Sequence, residues 1–268
     1  MELALAAAVL GALGYAAGSI LQAVGVRGGS GAAALTRSPL YLTGLGVDGL
    51  AWLLSLVALR RLPTFAVQSL LAGSLALTVV LARVFLGSRL RRRDTAAVLA
   101  LVAALGVVGG AGTEQPSPTV GPGGQVALCV AAGLLLLAVL VLRRSGSATF
   151  AVLAGLGYSV AALGARALTL PGAWSQAWRV AGEPLAWALA VAGVAGTLAY
   201  AAALEKGPVG PATALLWSVE VVVPAVAGFG LLGDVVRPGW WAPTAVALVV
   251  VVGCSVVLAG SPAVPEET

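Results

Sequence analysis

The sequence predicts an all-α polytopic membrane protein of about nine transmembrane helices in two inverted-topology repeats. Three observations carry that prediction. The 268 residues are 60% hydrophobic and only 9% charged, far from the soluble balance of about 45–50% apolar and about 25% charged. The apolar residues fall into nine runs of membrane-spanning length. Short motifs from the first four runs recur, in order, in the last four.

Taken along the chain, the predicted spans are 3–26, 40–59, 64–86, 95–112, 124–142, 148–170, 184–204, 209–232 and 240–259. The first follows Glu2 directly, has no basic segment before it and runs past twenty residues to Arg27, so it reads as a retained span and not a cleaved signal. The second carries Asp48, and the third carries Gln68 and, three residues from its end, Arg83. The basic run Arg89 to Arg93 precedes the fourth. Residues 112–124, rich in Pro and Gly, form the one clear linker and divide the chain near its middle. The fifth span follows as a connection, the sixth contains Arg166, the seventh is preceded by Trp174 and Trp178, the eighth carries Glu220 among three prolines, and the ninth begins with Trp240 and Trp241. Those tryptophans read as anchors at headgroup level.

Charge sets the orientation. With nine spans, nine basic residues lie on the side of the C-terminus and four on the other, which places the C-terminus in the cytoplasm and the N-terminus outside. Arginine supplies fourteen of the fifteen basic residues, a bias that suggests a GC-rich bacterial genome and a bacterial inner (cytoplasmic) membrane. The net charge of +5 reports topology, so no nucleic-acid partner is expected. The bilayer itself is the expected surrounding, and a homodimer is left open.

The repeats are legible in short motifs. Ala58-Leu59 before Pro63 recurs as Ala203-Leu204 before Pro208, Leu70-Leu71 as Leu215-Leu216, Leu86-Gly87 as Leu232-Gly233, and Leu13-Gly14-Tyr15 as Leu156-Gly157-Tyr158. Each motif is displaced by five spans, and an odd displacement reverses its direction through the membrane. The expected organisation is a first repeat over 1–112, a linker and connecting span over 113–147, and a second repeat with a short tail over 148–268. Inverted repeats are the architecture many secondary transporters use for alternating access around a midplane site.

Ionisable residues within spans are costly and by default mark a site. Asp48 lies eight residues beyond Leu40 and Glu220 eleven beyond Val209, depths of roughly 12 and 17 Å at about 1.5 Å per residue. Two carboxylates at similar depth from opposite repeats could bind a cation or share a coupling proton, or each could hydrogen-bond a neighbour. Arg166 is close enough to the end of its span to snorkel, or it offers a fixed charge to an anion. Gln22, which maps near Arg166 under the repeat, and Gln68 complete the candidate binding residues; both could equally be buried by helix packing alone. Pro224 removes the amide that would have bonded the carbonyl of Glu220. Glycines 14 and 18, 106 and 110, and 193 and 196 read as small faces for close helix approach. Cys129 and Cys254 are too few for a disulfide framework or metal site, and the absence of histidine removes His-based triads and zinc-protease chemistry. No catalytic residue and no cofactor is expected; the chain reads as a carrier, not an enzyme.

The segment from Ala203-Leu204 through Pro208 and Glu220 to Val-Pro-Ala-Val-Ala-Gly-Phe-Gly-Leu-Leu-Gly-Asp resembles the EamA-type repeat of the drug/metabolite transporter (DMT) superfamily. In that family a glutamate commonly sits where Glu220 does, and the span ends in Leu-Gly-Glu. Here the two repeats end Leu86-Gly87-Ser88 and Leu232-Gly233-Asp234, departures that weaken any role for that last acidic position. Ten spans are usual in the family, so the first would be absent. Gly14 to Gln22, Pro39 to Gly46 with Asp48, and Ala165-Arg166-Ala167-Leu168 also resemble a nine-span branch, the NIPA-type magnesium transporters. The resemblance implies export of a small polar metabolite with a proton or cation as coupling partner, or magnesium transport with Asp48 and Glu220 as oxygen ligands; a lipid or lipid-linked sugar flippase is a third reading.

Overall fold

The computed structural model of the chain describes residues 2–26, 38–86, 91–116, 118–168, 179–207 and 209–260. Among them are nine helical spans long and apolar enough to cross a membrane, and no strand is present. They are α1 (Glu2–Val26), α2 (Pro39–Leu59), a third span made of α3 (Thr64–Ala72) and α4 (Ser74–Leu86), α5 (Arg92–Ala111), α6 (Pro122–Val141), α7 (Ser147–Ala167), α8 (Pro184–Lys206), α9 (Val209–Ala227) and α10 (Trp241–Ala259).

Local chemistry explains where these helices start and bend. Proline opens α2, α6 and α8, where its missing amide costs nothing and its fixed φ suits the first turn. Asp94 satisfies the start of α5 by accepting the Arg91 amide at 3.0 Å. The third span breaks at Gly73, whose amide is shared between the carbonyls of Ser69 (3.2 Å) and Leu70 (3.1 Å). Pro224 lies inside α9, which widens into a π turn over Gly228–Leu232 and stops at Gly233, where φ is +66° and a side chain would be strained.

Burial sorts the helices. In the third span 78% of the apolar window is buried and in α7 67%, against 22% in α6, so the first two are central and α6 is peripheral. The principal pairs are α1 with α2, α7 with α8, α5 with α10, α7 with α9, and α6 with α8. Lipid gives apolar helices no reason to leave it, so close approach over small residues does the joining. A Cβ on Gly14 would stand 2.8 Å from that of Ala51, and one on Gly157 would stand 2.7 Å from both the Cα and the amide nitrogen of Gly196. Gly106 and Gly193, expected to pack, instead face open space. Large apolar side chains such as Val84, Phe85, Leu99 and Val249 point outward, as a lipid-facing belt requires.

The tryptophans divide. Trp241 is exposed, while Trp240 turns inward over Gly110 with Arg237 above its ring at 5.7 Å. Trp174 and Trp178 lie outside the described residues, as do Arg27, Arg37, Ser88, Arg89 and Pro208. Arg83 is exposed at the end of α4.

Candidate functional site

The site begins with the α1–α2 pair. Gly18 and Gly44 let the two backbones meet: a Cβ on Gly44 would come 2.7 Å from Cγ of Gln22 and 2.9 Å from the carbonyl of Gly18. That proximity brings Gln22 onto Asp48, whose Oδ2 accepts the amide Nε2 at 2.6 Å. Two turns before Gln22, Tyr15 lies within the fields of Asp48, Glu220 and Tyr158 and has Ser55 as a side-chain neighbour. Tyr158 comes from α7, shares a 3.3 Å hydrogen bond with Thr197, and is likewise reached by the field of Glu220.

Glu220 sits on the inner face of α9, the face that carries Thr213, Trp217 and the buried Pro224; Val222 and Val226 of the same helix look outward. It makes no hydrogen bond or ion pair among the described residues. The field of Glu220 therefore reaches two tyrosines, and that of Asp48 reaches the first of them; neither tyrosine stands among the candidate binding residues of the sequence. Their signal was available, because Leu13-Gly14-Tyr15 and Leu156-Gly157-Tyr158 are the same repeated motif. No group of three Asp, Glu, Cys or His side chains converges among the described residues.

Gln68 is placed apart. It is buried in α3, no hydrogen bond joins it to either carboxylate, and its Oε1 has no partner among the described residues. Thr64 Oγ1 and Ser69 Oγ on the same short helix share that condition.

Arg166 does not snorkel. It is 1% exposed, and its Nε donates to Oδ1 of Asp234 at 2.8 Å while Nη1 donates to the carbonyl of Leu59 at 2.8 Å. Oδ2 of Asp234 accepts the Thr64 amide at 2.6 Å, and the Asp234 side chain is wholly buried. Gly228 makes room for it, since a Cβ there would stand 2.7 Å from Oδ2. The guanidinium is thus neutralised within the protein, and the charge expected to meet either water or an anionic solute meets Asp234. The sequence weakens the case for Asp234 because Leu232-Gly233-Asp234 departs from the Leu-Gly-Glu ending that the resemblance implies, yet the structure gives this carboxylate a buried partner.

Around this pair the same end of the bundle is tied by further polar contacts. Arg60 donates to the Leu168 carbonyl at 2.9 Å. Gln115 bonds the Val235 backbone in both directions, at 2.7 and 3.2 Å, and its amide donates to the Arg61 carbonyl at 2.8 Å. Arg237 N–H reaches the Ala111 carbonyl at 3.1 Å. The Arg61–Glu114 ion pair at 3.2 Å is solvent-exposed and adds little. No family model, curated protein or solved structure matches the chain.

Proposed function

We propose that this chain is a secondary transporter of the drug/metabolite type that exports a small polar metabolite across the bacterial cytoplasmic membrane by alternating access. The observation that carries the reading is Glu220: a carboxylate on an inward helix face, with no hydrogen bond or ion pair among the described residues, whose field reaches Tyr15 and Tyr158, while Tyr15 also feels Asp48, the partner of Gln22. A charged group inside a membrane protein is expensive unless something answers it. A proton or a solute taken up in one orientation and released in the other answers it for part of a cycle, which is what a coupled carrier needs.

The pairing of helices supports the two-repeat reading. The first and second spans pair as the sixth and seventh do, and each pair closes over the glycine that precedes a tyrosine of the site, Gly14 before Tyr15 and Gly157 before Tyr158. With the orientation set by the basic residues, the Leu59–Asp234 end faces outward and the C-terminus lies in the cytoplasm.

The test is reconstitution into liposomes with a pH-sensitive dye inside, a panel of amino acids, amines and sugars outside, and wild type against Glu220→Gln. Proton movement driven by a member of the panel and lost in Glu220→Gln is the expected result. Equal movement in both removes the carboxylate from the mechanism. Entry of Mg²⁺, read with an internal magnesium dye and stopped by the same substitution, overturns the metabolite reading in favour of a cation carrier.

A further inference from the structure

The polar contacts at the Leu59 end do more than cap helices, because they run between the two halves of the chain. Arg166, at the end of α7, bonds the carbonyl that ends α2; Asp234, just past the π turn, bonds the amide that begins α3; Arg60 returns a bond to Leu168. The α2–α3 turn of the first half is thereby clamped from two sides by the second half. All four groups at the centre are buried, so water does not compete for them.

The repeat makes this clamp one-sided. Under the offsets of the repeated motifs, Arg166 falls opposite Ala23, beside Gln22, and Asp234 falls opposite Ser88. Both counterparts are neutral, and Gln22 turns instead to Asp48. A carrier built from inverted repeats has two ends that its own symmetry would make alike, and here only one of them carries an ion pair at these positions.

We infer that the Arg166–Asp234 pair, with the Thr64 amide and the Leu59 carbonyl, is a latch that holds the Leu59 end of the bundle shut and is broken and remade in each cycle. The inference rests on the transport reading above. It assigns Arg166 and Asp234 to the gate, not to solute binding, and makes closure at this end the resting arrangement.

Ser55 provides the reporter. It lies one turn inside Leu59, is 5% exposed, and neighbours Tyr15, so it is behind the latch on the way to the site. In a background with Cys129 and Cys254 replaced by alanine, Ser55→Cys is labelled with a membrane-impermeant thiol reagent added to the Leu59 side of oriented vesicles. The expected result is slow labelling in the otherwise wild-type chain and labelling at least tenfold faster with Asp234→Asn. Arg166→Gln together with Asp234→Asn gives the same increase while leaving no lone buried charge, so it decides the matter should the single variant fail to fold. Labelling that stays unchanged in the double variant overturns the latch. Labelling requires no solute, so its outcome is independent of the flux assay: the absence of solute-driven flux in the wild-type chain removes the transport reading, whereas unaltered labelling removes the latch and leaves transport standing.

Discussion

A single methyl at residue 157 tests the claim that glycine contact, not greasiness, holds α7 to α8. A Cβ there would lie 2.7 Å from the Cα and nitrogen of Gly196 and 2.9 Å from the carbonyl of Ala192. Carbon atoms rest at about 3.5–4.0 Å, so the helices have to part by about 1 Å. The obstacle is backbone, which cannot swing aside, and overpacking of that kind costs at the upper end of about 1–3 kcal/mol. Alanine returns about 1 kcal/mol through its helix preference over glycine, leaving a net loss of about 2 kcal/mol. For a chain of this size that lowers the unfolding midpoint by about 4–8 °C. Gly193→Ala is the matched control on the same helix pair: nothing lies within 4 Å of its Cβ, so only the propensity gain remains and the midpoint rises by about 2–4 °C. Thermal unfolding in detergent in a Cys129→Ala background, followed with a thiol-reactive dye that reports release of the buried Cys254, measures both. Equal shifts in the two variants, or an unchanged midpoint in Gly157→Ala, would refute the packing argument. The contact also bears on the site, because a Cβ on Gly196 would stand 3.0 Å from the ring of Tyr158.

Three further outcomes follow from the geometry. Glu220→Gln abolishes solute-driven proton movement in liposomes with little change in thermal unfolding, since no hydrogen bond or ion pair among the described residues is lost with it. Arg166→Gln and Asp234→Asn each lower stability by about 3–5 kcal/mol by stranding a buried partner, whereas the double variant loses less than either single change; denaturant unfolding of the purified variants reads the difference. Gln22→Leu takes from Asp48 the 2.6 Å bond it accepts and costs about 1.5–3 kcal/mol in the same assay.

The spans were legible because length and apolarity alone select them: the nine runs read from the sequence differ from the observed helices by only a few residues at either end. Boundaries marked by Pro39, Pro122 and Pro184 were equally open, as proline at the first turn is a local signal. The break at Gly73 and the π turn at Gly228 were not, because glycines of this kind occur throughout the chain and only their tertiary neighbours separate a hinge from a packing face. For the same reason Gly106 and Gly193 were misread beside Gly110 and Gly196. At the site, Glu220, Asp48 and Gln22 announced themselves as polar groups in apolar runs. Tyr15 and Tyr158 did not, since tyrosine is unremarked in a membrane helix until it is seen to face a carboxylate. Asp234 shows the deeper limit. An arginine within a span demands a counter-ion, and topology puts Asp234 and Arg166 at one end of the bundle, yet choosing Asp234 over Glu114 or Glu183 requires the fold.

The clamp on the α2–α3 turn also dictates an order of events during synthesis. The Leu59 carbonyl and the Thr64 amide leave the ribosome early, but their partners follow 107 and 170 residues later. Until Arg166 and Asp234 are made, that turn has to stay hydrated at the membrane surface, because an unpaired backbone group cannot enter the apolar interior. The first half therefore waits, inserted but unsealed, for the second to be delivered. A chain halted before residue 234 would carry an open turn of unsatisfied polar groups that the membrane interior cannot accept.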